Sequence, residues 1–360
     1  MPKAPTNTTS SPASMSDIAR AAGVSESTVS RALNNNKLIA EKTRKRIQDI
    51  AREMNYKINE SARNLRLQRS HTVSVVINAT ESSGQPFSDP FMLDMIGSIA
   101  GALSQHNYDL LFSSRIMEQK DWHDYLLGSQ RADGVIVIGQ GTDDSPLREL
   151  QKHGDPIVVW GNKKEGTPYC TVGSNNFDGG KVATDHLISL GRSEIVFLGD
   201  IAHPEIDARF QGYMAALTQA SLESHEHHFG TAFSINSGYQ RVTELLADKS
   251  LGFDAIFAAS DNIAMGAIRA LQEHGLRVPE DVSVVGFDDI PIASIFTPPL
   301  TTVRQQVHAG GEALVSKVMA LINKEKASSA MLATELVVRG SCGAKPNYTP
   351  MEEALADASS

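Results

Sequence analysis

The chain has 360 residues and a net charge of −9, with 33 Lys and Arg against 42 Asp and Glu. This length exceeds one comfortable core and indicates two or three domains. No apolar run approaches the roughly 18 residues of a transmembrane helix. The two cysteines, Cys170 and Cys342, lie in unrelated contexts, which favours a reducing compartment over a disulfide scaffold. We therefore expect a cytoplasmic protein without membrane contact.

The charge is distributed unevenly along the chain. Residues 1–70 hold 13 basic and 6 acidic side chains, a net of +7, whereas the remaining 290 residues hold 20 basic and 36 acidic side chains, a net of −16. This pattern favours a DNA-binding headpiece on an acidic body, because phosphate neutralisation supplies most non-specific affinity for DNA. Residues 1–13 are rich in Pro, Ser and Thr and predict a disordered tail.

Residues 14–34 hold two short helical patterns joined by a Gly-centred turn. Ser14 can cap the first helix, with Asp17 at the capping-box spacing. Gly23 permits the turn and Ser25 can cap the second helix. Apolar residues at helical spacing can close a small core, while the second helix leaves its polar side chains outward, namely Ser27, Thr28 and Arg31. This pattern predicts a helix-turn-helix whose second helix lies in the DNA major groove.

A third helix is predicted over residues 41–54, from the recurrence of Ile47, Ile50, Ala51 and Met54. Its other face carries five cations, which favours phosphate contact over an ordinary solvated face: Lys42, Arg44, Lys45, Arg46 and Arg52.

Residues 58–70 are read in two ways. Leu65 lies beside Arg63, Arg66 and Arg69, the combination that a minor-groove wedge needs. A plain linker explains the same residues equally well.

From Val73 onward, apolar strands alternate with amphipathic helices, which indicates parallel sheets covered on both faces. Strands are predicted at 73–79, 110–114, 134–138, 157–160, 195–199, 255–259 and 282–287, and helices at 92–105, 177–190, 210–219 and 263–274. These strands are too many for one Rossmann unit. We therefore expect two α/β lobes with a ligand cleft at the carboxyl ends of the strands.

With these residues in view, the chain resembles the LacI/GalR family of bacterial transcriptional regulators. The resemblance runs from about Ser14 to Gly343. It rests on the Ala-Gly-Val-Ser and Thr-Val-Ser-Arg elements of the headpiece and on later landmarks such as Arg209-Phe-Gln-Gly-Tyr, Ser260-Asp-Asn-Ile-Ala-Met-Gly and Val284-Val-Gly-Phe-Asp-Asp.

The resemblance implies a small all-α helix-turn-helix headpiece and an α/β two-lobed periplasmic-binding-protein-like core. We expect the headpiece at 14–57, a hinge helix or linker at 58–70, the core at 71–343 and a flexible tail at 344–360. Within the core, the first lobe is expected at about 71–172 and 305–333, and the second at about 173–304 and 334–343. The resemblance favours the Leu65 wedge, although Ile58 stands where the family usually has Pro.

The predicted DNA-binding residues are Ser14, Ser25, Ser27, Thr28, Arg31, Asn34, Thr43, Tyr56, Arg63, Leu65 and Arg66. The expected partner is palindromic double-stranded operator DNA, read by a homodimer because a helix-turn-helix dimer reads two half-sites. The C-terminal tail holds no sustained heptad repeat, so a tetramerising coiled coil is not expected.

The predicted effector-binding residues are Phe91, Trp160, Arg209, Phe233, Asp261, Asp288 and Gln305. Five of them have a plainer alternative: a surface Arg at a helix start for Arg209, a turn carboxylate for Asp288, a helix N-terminal charge for Asp261, and core packing for Phe91 and Phe233. Trp160 is followed by Gly161 at a strand end where the family often has an Asp, so we expect an aromatic face there in place of one acidic hydrogen-bonding group.

We expect no catalysis, cofactor or metal. The His225-Glu-His-His228 segment lacks helical i, i+4 histidines, and Gly139-Gln-Gly141 lacks the remainder of a dinucleotide fingerprint. The favoured function is a repressor of carbohydrate-utilisation genes with a small sugar-like effector. A purine-type corepressor-dependent regulator is the alternative, and a solute-binding protein without DNA function is a further one.

Overall fold

The computed structural model of the chain describes residues 13–56, 69–78, 88–113, 122–163, 166–222, 227–248 and 252–345. It divides into two compact units, Met1–Gln68 and Arg69–Ser360. In the described part of the chain, no helix is both long and apolar enough to cross a membrane.

The headpiece contains three helices, α1 (Met15–Ala22), α2 (Glu26–Leu33) and α3 (Glu41–Glu53). The predicted capping box is present: the Ser14 side chain accepts from the Asp17 amide, and the Asp17 carboxylate accepts from the Ser14 amide. Gly23 ends α1 in the left-handed region with φ of 64°, and the Ser25 side chain accepts from the Thr28 amide to start α2. Both predicted helices of the helix-turn-helix are therefore confirmed, together with the turn chemistry between them.

The headpiece has a small core of its own. Seven buried side chains from all three helices form it, namely Ile18, Ala19, Ala22, Val29, Ala32, Ile47 and Ala51. Half-buried apolar residues, including Val24, Leu33 and Tyr56, cover this cluster. The polar face of α2 remains outside it.

The second unit contains twelve strands in the part that the structure describes. They are β1 (Thr72–Ile77), β2 (Asp109–Ser113), β3 (Gly134–Ile138), β4 (Ile157–Trp160), β5 (Cys170–Ser174), β6 (Ile195–Leu198), β7 (His228–Phe229), β8 (Ala255–Ala258), β9 (Ser283–Asp288), β10 (Thr301–Arg304), β11 (Ala330–Leu332) and β12 (Glu335–Val337).

Seven α-helices of the second unit lie in the described ranges: α4 (Pro90–Gln105), α5 (Ser145–Lys152), α6 (Asn176–Ser189), α7 (Pro204–Gln219), α8 (Ile235–Ala247), α9 (Asp261–Glu273) and α10 (Val307–Ile322). A single π-helical turn spans His123–Gly128.

The strands form two six-stranded sheets, and each sheet is the centre of one lobe. The N-lobe contains β1–β5 and β11, and the C-lobe contains β6–β10 and β12. The N-lobe sheet has the order β11-β5-β4-β3-β1-β2, with every pair parallel. The C-lobe sheet has the order β12-β10-β9-β8-β6-β7 and is parallel except for the β10–β12 pair. The chain crosses between the lobes three times, after β5, after β10 and after β11. The predicted two-lobed α/β core is therefore confirmed.

The central strands are apolar and fully buried, as expected for parallel sheets covered on both faces. The bounds of β3 and β4 agree with the sequence prediction. α7 begins at Pro204, six residues before the predicted start, because its first turn is polar and outside the apolar pattern. The sequence patterns did not predict strands β5, β7, β10, β11 and β12 or helices α5, α8 and α10.

Candidate functional site

The exposed face of α2 is the candidate DNA-contacting surface of the headpiece. Ser27, Arg31 and Asn34 are exposed, and Thr28 is half-buried. The Ser25 hydroxyl lies 2.9 Å from the hydroxyls of both Ser27 and Thr28, which groups three hydroxyls at the start of the helix. This face presents donors and one cation, the chemistry that reads base edges in a major groove.

Four predicted DNA-contact residues, Asn34 among them, are hydrogen-bonded or half-buried within the headpiece. Ser14 belongs to the capping box, and the side-chain amide of Asn34 donates to the Ser30 carbonyl oxygen at 2.8 Å. Thr43 is half-buried and Tyr56 packs on the headpiece core. Arg63, Leu65 and Arg66 lie outside the described residues.

One cation of the α3 face has a different role from the predicted phosphate contact. The Arg46 guanidinium donates to the Ala22 carbonyl oxygen at 2.8 Å, so it satisfies the C-terminal end of α1. Lys45 and Arg52 form exposed ion pairs with Glu41 and Asp49, at 3.4 and 3.1 Å. Such exposed pairs are weak and exchange readily with other anions.

The cleft between the two lobes is the candidate effector site. It encloses about 640 Å³ of space not filled by protein atoms, part of which is open to solvent. Six of the seven predicted effector residues line it: Phe91, Trp160, Arg209, Phe233, Asp288 and Gln305. N-lobe residues Asn78 and Met92 face C-lobe residues His203 and Glu205 across the same space.

Arg209 is held in a fixed orientation at the C-lobe wall of the cleft. It lies in the second turn of α7 and is only 5% exposed. Its Nε donates to the Asn176 side chain at 2.8 Å, and its Nη1 donates to the Ala259 carbonyl oxygen. The guanidinium lies 3.6 Å from the centre of the Phe287 ring and 3.8 Å from an Asp288 oxygen. These contacts satisfy much of its charge within the protein.

Asp288 reaches the cleft from the carboxyl end of β9. Its φ of 117° and the φ of 57° at Asp289 are both positive, which is unusual for residues other than glycine and stores backbone strain. Ion pairs from the Asp289 carboxylate to Arg304 and Arg339, at 2.7 and 2.6 Å, hold this turn in place. The side-chain amide of Gln305 donates to the Asp288 carboxylate at 2.7 Å. The strained turn therefore directs one carboxylate to the cleft and the other to an internal ion-pair network.

The environment of Asp288 favours its protonated form. Burial raises the pKa of this carboxyl to about 7, and the Asp89 carboxylate adds to the rise, while Arg209 and Gln305 act in the opposite direction. At neutral pH the group can therefore both donate and accept hydrogen bonds, since the acid and the carboxylate are both populated.

Three aromatic side chains form the apolar part of the cleft. Trp160 ends β4 and is 5% exposed. A Cβ atom added at Gly310 of α10 would lie 2.5 Å from the Trp160 ring, so the indole fits there only because position 310 has no side chain. The Phe91 ring centre lies 6.3 Å from that of Trp160. On the C-lobe, Phe233 packs edge-to-face against His203. Rings on both walls suit a flat or cyclic ligand.

Asp261 is the exception among the predicted effector residues. It is fully buried behind the cleft, where its carboxylate accepts from the Thr302 hydroxyl and from the Ile290 amide at 2.9 Å. Burial and the nearby Asp288 raise its pKa well above the ordinary range. The prediction of direct effector contact is therefore wrong for this residue: its side chain ties α9 to the loop after β9. The position at a helix start does not reveal which way the side chain points.

The space beside Gly161, where an acidic residue was expected, is filled by Gln140. A Cβ atom at position 161 would lie 2.5 Å from the Gln140 side chain. That side chain accepts from the Asn162 amide at 2.8 Å and donates to the Tyr169 hydroxyl at 3.1 Å. Gly161 is thus required by close packing, and the expected acidic ligand contact has no counterpart here.

Sequence reasoning missed three polar residues of the cleft, Asn78, His203 and Glu205. Asn78 directly follows β1, and a polar residue at the carboxyl end of a buried strand is a recognisable signal. His203 and Glu205 lie at the start of α7. They were not predicted as cleft residues because that helix was predicted to begin only at residue 210. The Glu205 carboxylate accepts from the Gln140 amide at 3.3 Å, a contact that joins the two lobes.

Comparisons with known proteins agree with this architecture. A family model described as bacterial regulatory proteins, lacI family, matches residues 14–59, and one described as a periplasmic binding protein-like domain matches residues 184–342. The probable HTH-type transcriptional repressor ExuR of Bacillus subtilis (strain 168) is 32% identical over 330 residues, which cover 90% of this chain and 97% of that protein. The chain belongs to the LacI family of bacterial regulatory proteins.

Two solved structures extend the likeness to nearly the whole chain. The Lac repressor dimer bound to operator and the anti-inducer ONPF has a TM-score of 0.82 and 26% identity, and the match covers 93% of this chain and 100% of that one. The transcriptional regulator CelR in complex with cellobiose has a TM-score of 0.69 and 30% identity, covering 91% of this chain and 99% of that one. This LacI-family chain is a DNA-binding transcriptional regulator.

Proposed function

We propose that this LacI-family regulator is a homodimeric cytoplasmic repressor whose operator affinity is controlled by a neutral, sugar-like effector in the cleft. The observation that carries the proposal is the pairing of Asp288, Arg209 and Gln305 at one wall with Trp160 and Phe91 at the other. Hydroxyl groups of a sugar ring bind polar side chains of this kind, and the ring faces pack on aromatic side chains. The CelR–cellobiose complex supports a carbohydrate, and the operator-bound Lac repressor dimer supports dimeric DNA binding.

The charge balance of the cleft favours an uncharged effector over a sugar acid or a sugar phosphate. Arg209 already pairs with Asp288 and donates to two other oxygen atoms. Glu205 adds a carboxylate to the lining, and Asp89 lies close enough to act on Asp288. An anionic ligand would meet these carboxylates at short range and low dielectric, where like charges repel strongly.

The purine-type alternative rests on the same aromatic side chains, since a nucleobase can also stack between rings. The two functions differ in the direction in which the ligand changes operator affinity. A sugar inducer releases the operator, whereas a purine corepressor strengthens its binding. Each ligand shifts the protein only as far as its affinities for the two states differ.

A ligand screen on the full chain tests the proposal. Glucose, cellobiose, maltose, galacturonate, glucose 6-phosphate, hypoxanthine and guanine are compared by thermal shift and by release of a fluorescent operator. We expect one or more neutral sugars to raise the melting temperature and release the operator. Binding of only the anionic sugars would contradict the charge argument, and operator capture by a purine would establish the alternative.

Asp288→Asn and Gln305→Ala are the variants for this screen. Either change removes or weakens a hydrogen-bonding group of the cleft, at a cost of about 1–3 kcal/mol when the partner stays buried and unpaired. Ligand affinity should fall roughly tenfold or more while operator binding without ligand is retained. Asp143→Asn, an exposed carboxylate outside the cleft lining, is the matched control.

A further inference from the structure

A cluster of two histidines and one aspartate lies at the end of the N-lobe sheet opposite the cleft. His123 begins the π-helical turn, His153 caps the C-terminal end of α5, and Asp155 precedes β4. Among the described residues, these three side chains form a His/Cys/Asp/Glu group compatible with a metal ion. Their potential ligand atoms all lie within 4.8 Å of one another.

The geometry of the cluster is set by the surrounding chain. Gly154, between His153 and Asp155, has a φ of 75°, a left-handed conformation that turns the backbone sharply between two ligand candidates. The Asp155 amide donates to the Leu150 carbonyl oxygen at 3.2 Å, which ties this turn to α5. On the other side, the buried Trp122 ring anchors the start of the π-helical turn. The donors are therefore held by ordered backbone on both sides.

The donor atoms face each other closely. His123 Nδ1 lies 2.8 Å from Asp155 Oδ2, and the two imidazole rings have centres 4.2 Å apart. The Asp155 side chain is only 9% exposed, whereas His123 and His153 are 33% and 40% exposed, so the cluster is open on the imidazole side. Glu149 Oε1 lies 3.4 Å from His153 Nε2, where it can orient that ring, and its other carboxylate oxygen pairs with Lys152 at 3.0 Å.

We propose that His123, His153 and Asp155 bind one divalent transition-metal ion, with Zn²⁺ as the ion that the donor set suits best. Two imidazoles and a carboxylate form a common zinc ligand set, with bonds of about 2.0–2.2 Å, which places neighbouring donors of a tetrahedral site about 3.3 Å apart. The His123–Asp155 separation of 2.8 Å is shorter than this value, and all three donors lie within 4.8 Å of one another, so the cluster has the dimensions of a site that one ion can draw together.

This site is distinct from the effector cleft. Asp155 precedes β4 and Trp160 ends it, so the two sites lie roughly 16 Å apart at a strand rise of about 3.3 Å per residue. A bound ion would join the π-helical turn, the end of α5 and the start of β4. It would stabilise the folded N-lobe, because an ion that binds only the folded state raises the melting temperature.

Metal binding to the full chain tests the proposal directly. The protein is stripped with EDTA, and Zn²⁺ is then titrated in competition with a chromophoric chelator. Co²⁺ absorbance reports the coordination number. We expect one tightly bound ion per chain, a visible Co²⁺ spectrum of four-coordinate type and a rise in melting temperature. No stoichiometric Zn²⁺ binding by the wild-type chain overturns the proposal.

Variants then assign the ligands. His123→Gln and Asp155→Asn should each weaken Zn²⁺ binding about 100-fold or more and remove the Co²⁺ spectrum, while binding of operator DNA without added ligand is retained. His106→Gln, which changes an exposed histidine at the end of α4, should bind the ion as the wild type does. The double variant His225→Gln/His227→Gln removes histidines of the other histidine-rich segment. Loss of binding in that variant, with binding retained in His123→Gln, overturns the assignment.

Discussion

Asp288 gives the cleft a pH dependence that its sequence position does not suggest. Burial raises the pKa of this carboxyl to about 7, whereas in an unfolded chain it is about 4. Between these two values the folded state holds a proton that the unfolded state has lost. The contribution of Asp288 to the free energy of unfolding is therefore greatest below about pH 4 and is lost as the pH rises through about 7.

We predict that Asp288→Asn gains in melting temperature relative to the wild type as the pH rises from about 5 to about 8, because asparagine does not titrate. Thermal unfolding of both proteins at several pH values measures the difference. Asp143→Asn is the control: the pKa of that exposed carboxyl is lowered, so its ionisation is complete below this range. A constant difference between wild type and Asp288→Asn would show that Asp288 ionises at an ordinary pH.

Arg31 is the exposed cation of α2 that we expect to read a base edge. Arg31→Ala should cost about 1–3 kcal/mol of operator affinity and relax sequence preference, because an Arg–guanine contact carries both. Fluorescence anisotropy with operator and with random DNA separates the two effects. Arg20→Ala, an exposed arginine on α1, serves as the comparison. Equal losses on both DNAs would make Arg31 a phosphate contact.

Position along the chain predicts part of the cleft, and the family resemblance predicts more of it. Asp288 stands at a strand end, where parallel sheets place ligand-binding groups, whereas Arg209 is expected in the cleft from the resemblance. Both residues line the cleft. Asp261 stands at a similar position, yet its side chain turns inward to Thr302 and Ile290. The difference is one of side-chain direction, which depends on tertiary neighbours that come from distant parts of the chain.

At the scale of elements, two glycines set the contact between α6 and α7. A Cβ atom at Gly180 would overlap the Arg209 carbonyl oxygen, and one at Gly212 would overlap the Phe177 carbonyl oxygen. The helices therefore pack backbone to backbone. This close approach of the two helix backbones determines the position of Arg209 at the cleft wall.

Gly180→Ala should force these helices apart and cost about 1–3 kcal/mol of stability, as overpacking of a dense core does. Effector affinity should fall as well, because Arg209 and its hydrogen-bond partner Asn176 separate. Gly101→Ala in α4 is the matched control, since a Cβ there meets nothing within 4 Å and alanine favours the helix. Chemical unfolding and ligand titration check both variants, and an unchanged Gly180→Ala protein would contradict the packing argument.

The segment 58–70 carries a prediction that still rests on sequence alone, since Leu65 lies outside the described residues. If Leu65 enters the minor groove, Leu65→Ala should weaken operator binding and reduce DNA bending without changing effector affinity. A circular-permutation gel assay measures the bend. An unchanged bend angle would favour the plain linker.

The elements that sequence patterns missed have physical reasons in common. β10 reads Thr-Thr-Val-Arg, and its two threonines are fully buried although the segment lacks the apolar run of the predicted strands. α10 contains Gly310 and Gly311, which weaken helix propensity but let Trp160 and Ser98 approach its backbone. In both cases tertiary packing overrides local preference. The apolar strands β3 and β4 carry no such conflict, and their bounds agree with the prediction.

At the scale of the whole sensor unit, few polar contacts join the two lobes across the cleft in the part of the chain that the structure describes. Asn262, at the start of α9 in the C-lobe, donates to the Asp89 carboxylate at 3.0 Å in the N-lobe. Asp89 also caps α4 by accepting from the Phe91 and Met92 amides. The same carboxylate therefore orients a cleft aromatic residue and holds the opposite lobe. Loss of this bond should shift the equilibrium between closed and open lobes.

Asn262→Ala removes the interlobe bond and leaves the α4 cap intact. A hydrogen bond to a charged group contributes about 1.5–3 kcal/mol, so the closed arrangement should lose roughly tenfold or more in population relative to the open one. Effector affinity should fall by a similar factor, because a ligand enclosed by both lobes must first restore closure. Asn262→Asp should be more severe, since it places a second carboxylate against Asp89.

Isothermal titration with the effector found in the screen measures this coupling, and small-angle scattering of the free proteins reports the lobe arrangement. By linkage, operator affinity without effector should change in the direction opposite to that produced by the effector. Ser145→Ala, on the N-lobe surface away from the cleft lining, is the control for an unrelated side-chain loss. Wild-type effector affinity in both Asn262 variants would mean that lobe closure is governed by the aromatic packing around Trp160 and Phe91, and not by this polar contact.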